Sequence, residues 1–343
     1  MIMFPEISFN NMDITKAGKT LANINSRYDD IQEAESIISD WRKYHYYPIL
    51  TIQGTLRNHV RRMSDTQSIV VQRLKKMQTI KDKLRRYPTM RLHTMQDVGG
   101  CRAIFSNCEF VYELYNRLKN SSMKHEIVNE KDYIETPKES GYRGIHLIFE
   151  YNSLQNSSYN GLKIEIQIRT HLQHLWATAV ETVGTFTNYS LKSSIGPDVW
   201  LLFFKLMSSL IAIEENCNTV PNVPDSRNDI ISVLNELNRT HSILEKLSTI
   251  NATCDYIQNK RINSRKFYVI VIKEQGKKVD VSDYKKLEEA NAQYIEAEKD
   301  EQNNAVLVSA TSLDALRKAY PNYFMNISGF LELTQKLMAG DNL

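Results

Sequence analysis

The stretch Leu162-Lys163-Ile164-Glu165-Ile166-Gln167-Ile168-Arg169 alternates apolar and polar side chains without a break. A period of two is that of a strand, so Ile164, Ile166 and Ile168 face a core while Glu165, Gln167 and Arg169 share the other face. A carboxylate on such a face is costly unless a cation or metal meets it. Two further β-rich runs, 101–105 and 146–151, have the same character, and the spacing predicts helices over 112–118 and 172–183. The fold class that follows is α/β (α+β), a mixed central sheet flanked by helices.

Ahead of this core, Ile31, Ala34, Ile37, Ile38 and Trp41 fall on one face of a helix. A second helix is expected over 51–63. A third is expected over 68–86, stopping before Tyr87-Pro88 because the residue preceding proline avoids the α region. Behind the core, Pro221 and Pro224 among Asn, Asp, Ser and Thr mark a linker at 218–228, and 229–256 reads as one helix. A compact set closes the chain: strands over 267–272 and 278–281 around Gly276, a helix over 284–299, a strand over 305–309, and helices over 311–320 and 330–338. The expected division is 1–217, a linker and helix at 218–263, and a small C-terminal α+β domain at 264–343.

The chain has 343 residues, 42% apolar and 24% charged, room for about two domains of some 150 residues each. No run approaches the roughly 18 apolar residues of a membrane span, and the N-terminus lacks the order of a signal peptide, so a cytoplasmic location is expected. Cys101, Cys108, Cys217 and Cys254 form no C-x-x-C pair, which predicts free thiols and no structural zinc. The net charge of +3 hides an asymmetry. Residues 42–91 hold thirteen Lys or Arg against Asp65 and Asp82, whereas 264–343 hold eleven basic and twelve acidic residues. The front segment is therefore expected to meet something anionic.

Four constellations carry chemistry. The spacing of Arg73, Lys75, Thr79 and Lys83 predicts a helical stripe able to hold a polyphosphate, with Arg73 free to stack on a base. Asp97-Val98-Gly99-Gly100-Cys101-Arg102 places an acid and paired glycines at the start of a strand, where glycine lets a ligand approach the backbone. The polar loop from Lys131 through Tyr133, Lys138 and Tyr142 to His146 sets aromatics beside cations, which suits a stacked nucleobase over its phosphates. Glu165, Gln167 and Arg169 make the fourth. Carboxylates from two strands, Asp97 and Glu165, are the kind of pair that holds Mg²⁺ through a bound polyphosphate.

In their order these motifs resemble the RelA/SpoT synthetase domain over 73–181. The resemblance implies transfer of the β,γ-pyrophosphate of ATP to a ribose hydroxyl of a second nucleotide, with Mg²⁺. It casts Arg73 and Arg102 as the adenine clamp, Lys75, Thr79 and Lys83 as further ATP ligands, and Asp97 as a metal ligand. Tyr142 is cast as the residue that stacks on the acceptor base, with Lys131, Lys138, His146, Gln167 and Arg169 on the acceptor side. Glu165 is the second metal ligand or the base. The segment before Arg73 is too short for the family's hydrolase half and no His-Asp dipeptide occurs, so a synthesis-only enzyme is expected.

Ser140 and Gly144 stand where small alarmone synthetases usually carry Asn and Ser, which opens the choice of acceptor. A GTP or GDP acceptor makes the chain an alarmone synthetase. A tRNA 3′ end makes it a toxin, with Arg57, Arg61 and Arg62 as phosphate contacts. In layout the chain is similar to the CapRel family of fused toxin and antitoxin proteins of phage defence. That likeness implies a pseudo-zinc-finger-like tail without zinc, in which Tyr320 and Tyr323 shut the enzyme until a phage protein, with the major capsid protein as candidate, engages it. A catalytically dead nucleotide sensor is the third alternative, and the presence of both Asp97 and Glu165 weighs against it.

Overall fold

The computed structural model describes residues 9–187, 191, 194–257, 267–273, 278–300, 304–309 and 327–341. Three helices lead, α1 (Asn11–Ala22), α2 (Tyr28–Tyr44) and α3 (Tyr46–Arg61). Then come strand β1 (Ile69–Leu74), α4 (Met77–Arg86), β2 (Gly99–Phe105), α5 (Cys108–Lys119), β3 (Glu126–Asp132), β4 (Ile145–Glu150), β5 (Lys163–Thr170) and α6 (His171–Thr187). The remainder is α7 (Asp198–Glu214), α8 (Arg227–His241), α9 (Ile243–Ile257), β6 (Phe267–Lys273), β7 (Lys278–Tyr284), α10 (Leu287–Glu298), β8 (Asn304–Ser309) and α11 (Ser328–Ala339).

Among the described residues, eight strands form one sheet in the order β3-β4-β5-β2-β1-β8-β6-β7. Only β2 and β5 run parallel; their register sets Gly100 against Glu165 and Arg102 against Gln167. The alternation expected of 162–169 is realised, since Ile164, Ile166 and Ile168 are wholly buried in the main core. That core lies under α3: Cys101 Sγ donates to the Ile49 carbonyl at 3.9 Å, and a Cβ on Gly99 would stand 2.6 Å from Ile49. Gly99 is therefore small so that α3 can pack, which corrects its reading as room for a ligand.

The helix expected over 68–86 is instead a strand followed by a helix. Ile69, Val70 and Val71 are β-branched residues that pair with Ile104, Ala103 and Arg102 of β2. The single helix over 229–256 is two, because Ser242 takes the left-handed conformation at φ 51° and ends α8. β3, of which only Lys131 and Asp132 belonged to the expected polar loop, is an edge strand; it, α1 and α7 were not anticipated.

A second core joins α6, α7 and α8 to α11, with the Phe330 ring 5.8 Å from that of Phe204. The last segments of the chain are thus shared between the sheet and this helical cluster. β8 pairs with β1 through Gln72 and Arg73. Two cysteines far apart in sequence, Cys108 and Cys217, come within 3.4 Å of each other. The turn at Gly276 and the helix over 311–320 fall outside the described residues, as do Tyr320 and Tyr323. No helix among the described residues is long and apolar enough to cross a membrane.

Candidate active site

The face of the sheet turned away from α3 carries Arg73 on β1, Gly100 and Arg102 on β2, Glu165, Gln167 and Arg169 on β5, and His146 on β4. Asp97 stands just before β2. It lines the same cleft as Arg73, Gly100, Arg102, Glu165 and Gln167. Residues separated by nearly a hundred positions meet here because β2 and β5 are neighbours.

Asp97 is held between two ammonium groups, Lys75 Nζ at 2.7 Å and Lys83 Nζ at 2.9 Å. Burial would push its carboxyl up, but the two cations outweigh that and hold it well below the usual carboxylate range. Lys75 is lowered by its own burial, with Asp97 opposing. Lys75 lies in the link between β1 and α4, and Lys83 projects from the last turn of α4. The stripe is therefore assembled by a strand, a link and a helix. Thr79 is exposed one turn before Lys83. Each ammonium has three donors, so both retain capacity for phosphate oxygens.

Glu165 heads a relay. His146 Nδ1 lies 2.8 Å from Glu165 Oε1, and His146 Nε2 lies 2.6 Å from the Tyr142 hydroxyl. With a neutral ring, Tyr142 donates to Nε2 and Nδ1 donates to the carboxylate, an assignment that satisfies both nitrogens. Gln167 Nε2 donates to Glu165 Oε2 at 2.8 Å, and Arg102 donates to Gln167 Oε1 at 3.3 Å. Burial raises Glu165, the bonded imidazole lowers it, and nearby Asp97 raises it; the balance is a lowered value. Asp97 and Glu165 thus face one cleft and repel each other, a donor pair that a divalent cation relieves. These two would hold Mg²⁺, which supplies charge neutralisation to a bound polyphosphate.

Among the residues expected on the acceptor side, Lys138 Nζ lies 4.3 Å from the Tyr133 ring centroid and 5.3 Å from that of Tyr142. Tyr142 is only 3% exposed and packs edge-on against Tyr133 and His146. Tyr133, half-buried, is the more open ring; from sequence it was one of the loop's two aromatics but was given no role of its own. Lys131 is exposed on β3, opposite His146. Arg169 is buried behind this group, where desolvation and then Arg102 lower its guanidinium to about 9. Gly141 takes φ 93°, and a Cβ there would lie 2.9 Å from both Ser208 and Trp176, so the loop's path requires glycine.

Arg57, Arg61 and Arg62 belong to the end of α3, on the opposite face of the sheet. The backbone N–H of Ser106 bonds Asp65 at 2.8 Å, which places that end beside the far terminus of β2, a strand about 20 Å long at whose other end Asp97 stands. Arg57 is partly buried and lowered by desolvation. Exposed cations also follow Lys83 at the end of α4, namely Arg85, Arg86 and Arg91, with Tyr87 51% exposed among them; Arg86 and Tyr87, three and four residues on, fall on the Lys83 side, whereas Arg85 falls on the side of Lys81. Lys138 is lowered by burial and feels Glu165, Tyr87 and Lys83 in turn. The signal for this basic end was present in Arg85-Arg86-Tyr87, but only the packing of α4 shows that Lys83 points to Asp97 and Lys81 to Glu35.

The sequence model described as "Region found in RelA / SpoT proteins" matches residues 72–189. The chain is 30% identical over 155 residues to the GTP pyrophosphokinase YjbM of Bacillus subtilis, covering 44% of this chain and 70% of that protein. It is 41% identical over 87 residues to the GTP pyrophosphokinase YwaC of the same organism, covering 24% of this chain and 40% of that one. Among solved structures, small alarmone synthetase 1 of Bacillus subtilis bound to pppGpp aligns at TM-score 0.44 and 24% identity, over 51% of this chain and 93% of that one.

Proposed function

The chain belongs to the RelA/SpoT family and is a pyrophosphotransferase, and from this premise we propose that it moves the β,γ-pyrophosphate of ATP to the 3′-hydroxyl at the 3′ end of tRNA. The observation that carries the reaction is the cleft in which Asp97, gripped by Lys75 and Lys83, faces Glu165. Phosphoryl-type transfer is largely positioning and charge neutralisation, and no covalent nucleophile is needed. In this reading Arg73 and Arg102 hold the donor base, the two lysines the phosphates, and Lys131, Lys138 and His146 the acceptor, while Tyr142, expected to stack on the acceptor base, is too buried to do so and acts behind them through His146.

The choice of tRNA is supported by the exposed, basic end of α4 and the segment after it, Arg85, Arg86, Tyr87 and Arg91, which follow Lys83 in the chain and could meet a polynucleotide backbone. A GTP or GDP acceptor is the second reading, favoured by the names of both relatives. Labelled ATP offered with GTP, GDP and bulk tRNA should place label on tRNA. Exclusive labelling of the guanosine nucleotides would overturn the tRNA reading. Substituting Arg85, Arg86 and Arg91 with Gln should weaken tRNA binding and reduce its salt slope by about one per lost phosphate contact, while leaving labelling of any free nucleotide unchanged.

The C-terminal segment supports regulation of this site. β8 pairs with the strand that bears Arg73, and Tyr294 of α10 bonds Arg42, whose Nε donates to the Lys75 carbonyl at 2.9 Å. In the proposed closed state this segment restrains β1 and the donor site until a phage protein, the major capsid protein being the candidate, engages it. Truncation at 264 would strip α11 from the second core, so Tyr294→Phe is the cleaner test. It should raise basal transfer several-fold with little change in Tm. Unchanged transfer would make the contact purely structural.

A further inference from the structure

Away from the cleft, three metal-ligating side chains converge from distant parts of the chain. Cys108 opens α5, Glu215 and Cys217 follow α7, and one ligand atom from each lies within 4.8 Å of the other two. The sulfur atoms are 3.4 Å apart. In a tetrahedral zinc centre with Zn–S bonds of about 2.3 Å, two sulfurs stand about 3.8 Å apart, so a shift of a few tenths of an ångström seats an ion.

The surroundings suit a cation held by thiolates. Glu215 is oriented by Thr170 Oγ1 and by Gln173 Nε2 at 2.8 Å, and Gln173 also reaches Cys108 Sγ at 3.7 Å, the outer-shell arrangement that fixes metal ligands. Two thiolates and a carboxylate carry three negative charges. A divalent ion leaves one, and Arg143, whose guanidinium feels Cys217, Glu215 and Cys108, offsets it. All three ligands are half-buried, so an ion has access.

We propose that Cys108, Cys217 and Glu215 bind a thiophilic divalent ion, zinc by preference, with water in the fourth position. The site is separate from the Mg²⁺ pair. Asn218, next to Cys217, braces the loop read as the acceptor side: its carbonyl accepts from Arg143, and its Nδ2 donates to the Glu135 carbonyl at 2.7 Å. A bound ion therefore ties α5 and the end of α7 to that loop. The effect on the loop rests on the functional reading above, whereas ion uptake does not.

The test uses the full chain, reduced and stripped with a chelator, then titrated with Co²⁺ and Zn²⁺. One Co²⁺ per chain should bind with thiolate-to-cobalt charge-transfer absorption, Zn²⁺ should displace it, and Tm should rise by several degrees. Cys108→Ser and Cys217→Ser should each abolish the absorption, and Glu215→Gln should weaken uptake about tenfold. In the unaltered chain, Zn²⁺ should shield both thiols from alkylation as read by peptide mass spectrometry, a result that depends on no variant folding. Absence of the absorption, equal alkylation with and without Zn²⁺, or a Cys108–Cys217 disulfide whose reduced form takes up no cobalt would each overturn the proposal.

Discussion

Replacing Asp97 with Asn should lower kcat for pyrophosphate transfer by at least about 10³-fold, because it removes the proposed metal ligand together with the anion that holds Lys75 and Lys83 in the cleft. The fold should survive, but not without cost. Lys75 is 8% exposed and would be left with no carboxylate beside it, a loss of about 1 to 3 kcal/mol and several degrees in Tm. The pH dependence gives a second readout. Asp97 is held below its unfolded value, so its contribution is complete above about pH 4 and disappears only as strong acid protonates it. The variant should lack that acid slope. It should also gain stability as pH rises towards about 10, since the buried Lys75, already lowered, then sheds its proton more readily folded than unfolded. Calorimetry between pH 3 and 10 beside a transfer assay checks both parts. Wild-type turnover in this variant would end the assignment of Asp97.

Local periodicity explains why some of this was legible in the sequence and some was not. β5 was readable because its period of two is unbroken and one face is wholly buried. β1 was misread because Val70, Leu74, Met77 and Leu84 fall at spacings of four, three and seven, which imitate a helix across a strand, a link and a real helix. The β-branched Ile69, Val70 and Val71 were the contrary signal. β3 escaped notice because Ile127 and Val128 stand side by side at its bulge and break the period of two, and the strand is an exposed edge. The basic segment misled in another way. Arg42 is buried and Lys81 pairs with Glu35 at 2.5 Å, while Lys75 and Lys83 turn into the cleft towards Asp97, so the charge total overstated the basic surface open to a large anion. The meeting of Cys108 with Cys217 is set by tertiary packing across 109 residues and leaves no local mark. The carboxylate pair could be named from sequence because each acid sits at a recognisable strand; its Lys, His and Gln partners needed the sheet order.

Glu165→Gln should separate chemistry from binding more cleanly than the Asp97 substitution. The amide oxygen can still accept from His146 Nδ1, so the His146 and Tyr142 relay keeps its geometry. The new amide NH₂ meets the Gln167 NH₂ that donates to Glu165 now, and Gln167 cannot simply turn over because its oxygen accepts from Arg102. That mismatch costs about 1 kcal/mol, too little to unfold a domain of this size. What is lost is a negative charge facing Asp97 across the cleft. If Glu165 accepts the proton of the attacking hydroxyl or shares the metal, kcat should fall by about 10² to 10⁴-fold while KM for ATP stays within a few-fold, since Arg73, Lys75 and Lys83 are untouched. The two roles separate on metal titration. Loss of a metal ligand raises the Mg²⁺ concentration needed for half-maximal rate, whereas loss of a base leaves that requirement alone and flattens the low-pH limb of the rate profile. A variant that keeps full kcat would reduce Glu165 to an anchor for His146, and the group that takes the proton would then have to be sought along the relay, at His146 or Tyr142.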